Sequence, residues 1–243
     1  MTTLDQAVLT LPFRGTWRAE MSPARRVPSH GTHLFATTYG IDFVAVQGRW
    51  SSATRDWRTV LATEQPERFF AFGRPILAPA AGRVVRVHEG EADHVARRSK
   101  LALVSYALTQ AKRARGGAGA LAGNHVIMQR DGGGYVVLAH LRAGSLRVAE
   151  GQRVEVGQEL GRCGNSGNST QPHVHIQVMD SPDPFIARGL PWRSWTTGCG
   201  RAAVGPRWRW GVASPTKGTS SSRSDAQRAR SGADEARHTS TSM

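Results

Sequence analysis

The residues His173-Val174-His175-Ile176-Gln177-Val178 alternate in character and are rich in β-branched side chains, which predicts a strand. Side chains alternate between the two faces of a strand, so His173 and His175 are expected to point the same way. Val174, Ile176 and Val178 then share the opposite face and can enter a core. Two imidazoles held close together on a rigid strand suit a metal ligand beside a second functional group. A carboxylate stands far upstream in a similar setting, in Tyr39-Gly40-Ile41-Asp42-Phe43-Val44-Ala45-Val46. An Asp inside such an apolar run is costly unless it is paired, hydrogen-bonded or metal-bound.

The elements that must position these groups are mostly short strands. Leu11 to Arg18 reads as a first strand, ended by the turn-prone Met21-Ser22-Pro23, and Pro28 to His33 reads as a loop. Further strands are expected at Arg83–His88, His125–Gln129, Tyr135–Leu141, Ser145–Val148, Gln152–Val156 and Gln158–Cys163. Asp131-Gly132-Gly133-Gly134 signals a hairpin between two of them. Between Glu89 and Gly123 the pattern changes. Leu101, Val104, Leu108 and Ala111 recur at helical spacing, so a helix is expected from about Val95 to Ala114, with Asp93 as its N-cap. The fold class that follows is mainly β: a small antiparallel β-sandwich or barrel-sandwich hybrid with one inserted helix and a disordered C-terminal tail.

Composition narrows the class. With 243 residues and a hydrophobic fraction of 39%, the chain suits one substantial domain with appendages. The expected division is 1–27 as a lead-in, 28–191 as the main domain with the helical insertion at about 93–116, and 192–243 as an Arg/Trp/Ser-rich tail. No apolar run is long enough to span a bilayer. Met1 to Thr10 holds Asp5 and no basic or extended apolar segment, so no conventional secretory signal is expected there. Location is therefore read as cytoplasmic, or exported by another route. Cys163 and Cys199 are too few for a disulfide framework; free thiols are expected, with one bridge between them as the alternative.

The net charge of +14 invites a nucleic-acid reading. Nine Lys/Arg against three Asp/Glu lie from Trp192 onward, so +6 of that charge sits in the tail and +8 over the body. Such a distribution equally suits attraction to anionic cell-wall polymers. No specific nucleic-acid partner is expected, and the chain is expected to act as a monomer.

Several segments occur in a recognisable order: Ala78-Pro79-Ala80-Ala81-Gly82-Arg83-Val84-Val85, Gly123-Asn124-His125-Val126-Ile127, Ala139-His140-Leu141, Val154-Glu155-Val156-Gly157-Gln158, Gly164-Asn165-Ser166-Gly167-Asn168-Ser169 and Pro172-His173-Val174-His175. Together, over roughly Pro28 to Asp180, they resemble the lysostaphin-type zinc endopeptidases that cut peptidoglycan peptides. The resemblance implies a small antiparallel β-sandwich, a Zn2+ cofactor and a peptide or peptidoglycan substrate. It implies zinc ligation by Asp42 and His175, and catalysis by His140 and His173. The family's third ligand is a His four residues before the Asp, where this chain has Thr38. An upstream imidazole is then required, and His30 is favoured over His33 because Pro28-Ser29 and Gly31-Thr32 hold it in a compact turn. The alternative is a catalytically inactive module of the same fold that binds wall polymer or regulates another hydrolase.

Overall fold

The computed structural model describes residues 7–53, 63–97, 117–195 and 200–202. Its strands, in chain order, are β1 (Ala7–Thr10), β2 (Gly15–Met21), β3 (Ile41–Ala45), β4 (Pro75–Leu77), β5 (Gly82–His88), β6 (Asn124–Arg130), β7 (Tyr135–Leu141), β8 (Arg153–Val154), β9 (Glu159–Arg162), β10 (Val174–Met179), β11 (Gly189–Leu190), β12 (Trp192–Trp195) and β13 (Gly200–Ala202). Among the described residues one short α-helix, α1 (Gly117–Ala122), precedes β6.

A mainly antiparallel sheet runs in the order β13-β2-β3-β10-β7-β6-β5-β8, with β11 also paired to β10. Two ribbons, β1 with β12 and β4 with β9, complete a mainly β sandwich of the kind the sequence implies. The period of two along the strands decides what each face does. One face of the large sheet carries Trp17, Phe43, Val84, Val126, Met128, Val136, Leu138, Val174, Ile176 and Val178, all buried in a single cluster. That cluster continues into Leu9 and Trp192 of the β1–β12 ribbon and into Ile76 and Leu160 of the β4–β9 ribbon. Pairing sets the opposite face. Opposite residues on neighbouring strands share a face, so Asp42, His175 and Ala139 form one row across β3, β10 and β7. Ile127, Val137 and Gln177 form the next row across β6, β7 and β10.

Trp17 anchors the buried face. It is 0% exposed, stacks on Phe13 at 4.4 Å between ring centroids, and donates its indole N–H to Arg14 O at 3.0 Å. Trp17→Ala is expected to destabilise the fold by about 3–5 kcal/mol, because so large a cavity cannot collapse, and urea unfolding measures this.

The structure departs from the sequence reading at several points. The predicted first strand, Leu11–Arg18, is a bend over Leu11–Arg14 followed by the first part of β2, while β1 lies before it. Ser145–Val148 is not a strand, and the predicted Gln152–Val156 strand is reduced to β8. Asp93 does not cap a helix. Its carboxylate accepts the backbone N–H of Asn165 at 2.6 Å and of Ala143 at 3.1 Å, and Val95–Arg97 is non-helical, with Ala96 bridged to Glu64. The remainder of the expected helix lies outside the described residues. Trp192–Trp195, read as the start of a disordered tail, is β12, paired in parallel with β1. The polar segment from Ser214 onward lies outside the described residues.

Candidate metal centre and catalytic histidines

The row made by β3 and β10 brings the two sequence signals together. Asp42 and His175 are direct partners across the ladder, and His175 Nδ1 lies 2.8 Å from Asp42 Oδ1. His173 sits just before β10 on the same side, with Nε2 at 3.6 Å from Asp42 Oδ1. The upstream loop supplies a further imidazole: His30 Nε2 is 3.1 Å from Asp42 Oδ2. One ligand atom from each of His30, Asp42 and His175 lies within 4.8 Å of the others. His33, the second candidate, is turned elsewhere; it is exposed, and its Nδ1 pairs with Thr38 Oγ1 at 3.0 Å. Thr38 is thereby occupied.

His140 reaches the same site through a local irregularity. Strict alternation would send it to the face opposite Ala139, away from His175. Between Leu138 and Leu141, however, β7 advances three residues while β6 advances two, from Val126 to Asn124. This bulge leaves His140 with φ at 62°, a left-handed conformation uncommon for a non-glycine residue, and re-aims its side chain. Its ring lies 4.6 Å from that of His173 and 6.2 Å from that of His175, centroid to centroid.

Each imidazole has one nitrogen tied down by a neighbour. Gln177 Nε2 donates to Phe35 O at 2.8 Å, so its Oε1 accepts the Nε2–H of His175, also at 2.8 Å. Ser29 Oγ donates to Thr37 O at 2.9 Å, so it accepts the Nδ1–H of His30 at 2.9 Å. Ser166 O accepts the Nδ1–H of His140 at 3.0 Å, and Gln171 O accepts that of His173 at 2.8 Å. The other nitrogens of His30 and His175 both face the Asp42 carboxylate. Two ring nitrogens and an anion converge on one point, where a cation could take the place of the two ring protons. A set of two imidazole nitrogens and one carboxylate oxygen matches a zinc site that keeps a position open.

The charges agree with this geometry. Burial opposes ionisation of Asp42, but nearby His173 and hydrogen bonds from His175 and His30 outweigh it and hold the carboxyl well below the usual range. Burial also works against a charged His175, yet its bond to Asp42 raises that imidazole above its ordinary value. Burial, with His173 and His175 close by, pushes His140 well below the ordinary imidazole value, so it is neutral at physiological pH. Cys163 is a free, fully buried thiol whose pKa is raised by that burial. It is unsuited to nucleophilic catalysis.

A cavity of roughly 580 Å³ opens over the cluster. Phe35, Leu121, Ile127, Val137 and Ala139 form its apolar lining, and His125 joins the wall. Sequence reading gave His125 no role beyond the motif that contains it. Burial lowers its pKa, and its Nδ1–H donates to Gly123 O at 2.8 Å. Ser29, Gln177 and the Ser166 carbonyl were likewise missed. Gln177 stands inside the opening strand pattern and shares its face with the two histidines, which was the available signal.

Close packing keeps the imidazoles in place. A Cβ at Gly40 would sit 2.7 Å from His175 Cε1 and 3.2 Å from His30 Cε1. Gly40→Ala is therefore expected to push the two rings apart and to weaken metal binding by about 10–100-fold, the usual scale for disturbed support of a metal ligand. Chelator competition on the purified variant measures it.

Fold and cluster together define a mainly β protein with a histidine–carboxylate cluster that could hold a metal ion. Residues 68–185 match the family model described as peptidase family M23. The match contains His140, His173 and His175, while His30 and Asp42 lie upstream of it. The peptidoglycan DD-endopeptidase ShyA of Vibrio cholerae serotype O1 is 36% identical over 70 residues, which is 29% of this chain and 14% of that protein. The matched stretch thus spans a small part of that relative. Among solved structures, the catalytic domain of lysostaphin from Staphylococcus simulans aligns with a TM-score of 0.35 at 20% identity, covering 62% of this chain and 74% of its own. The catalytic domain of the prophage-encoded M23 protein EnpA from Enterococcus faecalis aligns with a TM-score of 0.41 at 18% identity, covering 72% and 88%. A zinc-containing peptidase from Vibrio cholerae aligns with a TM-score of 0.38 at 18% identity, covering 75% and 38%.

Proposed function

We propose that this chain is a zinc-dependent endopeptidase that hydrolyses peptide bonds in peptidoglycan stem or cross-bridge peptides. The observation that carries the proposal is the convergence of one ring nitrogen each from His30 and His175 on the Asp42 carboxylate. These three residues would hold zinc, which when bound supplies a Lewis acid that polarises a peptide carbonyl and activates water.

The chain's own groups supply the proton transfers. His140 is neutral, and its Nδ1–H is held by Ser166 O, so Nε2 is the nitrogen able to take the proton from the attacking water. His173 has its Nδ1 held by Gln171 O and turns Nε2 toward the cluster. A second proton on Nε2, which would make this ring a cation, would be donated to the tetrahedral oxyanion. The apolar lining that includes Phe35, Ile127, Val137 and Ala139 lowers the polarity beside the cluster, which strengthens these interactions.

Thr38, in place of the expected ligand, is the ground for the alternative of an inactive module. His30 within hydrogen-bond distance of Asp42 supports the catalytic reading instead. The test is to incubate purified, zinc-loaded protein with peptidoglycan and follow release of new amino termini. Release that a chelator stops and added zinc restores is the expected result. No release from wall material of several cross-bridge types, with zinc bound, would sink the proposal.

A further inference from the structure

The groups that orient the two ligand imidazoles share one support. Gln177 holds His175 and hangs from Phe35 O, while Ser29 holds His30 and hangs from Thr37 O. Both carbonyls belong to the short 3-10 turn Leu34–Tyr39, in which Phe35 (φ 56°, ψ 26°) and Ala36 (φ 59°, ψ 21°) are left-handed in succession. Non-glycine residues keep that conformation only when their surroundings over-determine it. Here they do. Ala36 is fully buried against Ile127, Val137, Ala139 and Met179, and Phe35 packs edge-on against Phe185 at 5.3 Å. Gly189 of β11 lies so close to Ala36 O that a Cβ there would collide with it.

We infer that the Leu34–Tyr39 turn is the outer brace of the metal centre, with Gln177 and Ser29 as positioning residues that set the proton position on His175 and His30. The inference rests on the zinc site proposed above.

The physical need for such a brace is specific. A neutral imidazole beside a carboxylate prefers to place its N–H on that carboxylate. For His175 that would put the proton on Nδ1, facing Asp42 Oδ1 at 2.8 Å, and for His30 on Nε2, facing Oδ2 at 3.1 Å. Either choice leaves no lone pair for a metal. Gln177 counters the first by offering an acceptor to Nε2–H, because its own amide N–H is committed to Phe35 O. Ser29 counters the second by offering its hydroxyl oxygen to Nδ1–H, because its proton is committed to Thr37 O. The turn thus turns two hydrogen-bonded pairs into metal-ready donors.

The test compares wild type, Gln177→Leu, Gln177→Glu and Ser29→Ala as full chains. Zinc affinity is read by competition with a chromophoric chelator, and thermal melting of the metal-free proteins is recorded alongside. Gln177→Leu and Ser29→Ala are expected to weaken zinc binding by about 10–100-fold while still melting cooperatively. Gln177→Glu retains an acceptor for His175 Nε2–H and is expected to stay within about threefold of wild type. Wild-type zinc binding matched to within about twofold by both Gln177→Leu and Ser29→Ala would overturn the brace alone and leave the zinc site standing. Equal weakening in Gln177→Leu and Gln177→Glu would also overturn it, since the acceptor would then be irrelevant. A wild type that binds no zinc would remove the function proposed above and this inference with it.

Discussion

Replacing His175 with alanine is expected to abolish zinc binding and to lower peptidoglycan hydrolysis by about 10³-fold or more, since metal catalysis supplies several kcal/mol of transition-state stabilisation. The size of the effect follows from position. His175 is the only described residue that joins the central strand β10 to Asp42 at hydrogen-bond distance. Removing it leaves a carboxylate and one loop imidazole, too few ligands for a zinc site. The side chain is not part of the main core, so the metal-free variant should fold and melt cooperatively. Zinc content and turnover fall together in this variant, which separates it from the next.

His140→Ala is expected to keep zinc and to lose about 10²–10⁴-fold in kcat, the range for removing a general base. His140 lies beyond direct reach of Asp42 and contacts the cluster only through the rings of His173 and His175. Its lowered pKa also sets the sign of the pH response. A base with a depressed pKa stays in its active, unprotonated form below the ordinary imidazole value of about 6.5 and is lost only as pH falls through its own lower value. The rate at saturating zinc should therefore hold from neutral pH down past about 6.5 before it declines. Zinc affinity should weaken over a higher range. The raised pKa of His175 means that a proton competes with the metal as soon as pH falls through that raised value. Measuring kcat and zinc affinity against pH on the same preparation distinguishes the two limbs.

The parts of this site that were legible in the sequence are those fixed by local chemistry. Alternation along His173–Val178 placed two imidazoles on one face, and both do approach Asp42. The apolar run around Asp42 signalled a carboxylate that needed a partner. The hairpin glycines, Gly133 and Gly134, take positive φ as the turn between β6 and β7 demands. What escaped depends on contacts distant in sequence. Strand order put Asp42 opposite His175, 133 residues away, and no periodicity records such a pairing. The bulge that re-aims His140 has no glycine to announce it.

Loop chemistry was ambiguous for a different reason. Asp93 was read as a helix cap because its carboxylate suits backbone N–H groups, and it does accept two of them. They come from Asn165 and Ala143 rather than from a helix. The choice between His30 and His33 turned on which one Ser29 and Thr38 engage, and both are short-range hydrogen bonds that composition does not reveal. Trp192 was misread because its neighbours are Arg and Ser, whereas parallel pairing with β1 draws it into the core.

The most direct test of the account is zinc stoichiometry in wild type, His30→Ala and His33→Ala, purified metal-free and reloaded under one set of conditions. About one zinc per chain in wild type and in His33→Ala, with loss in His30→Ala, is the predicted result, since a catalytic site needs about three protein ligands. Full zinc retention by His30→Ala would contradict the ligand set of His30, Asp42 and His175.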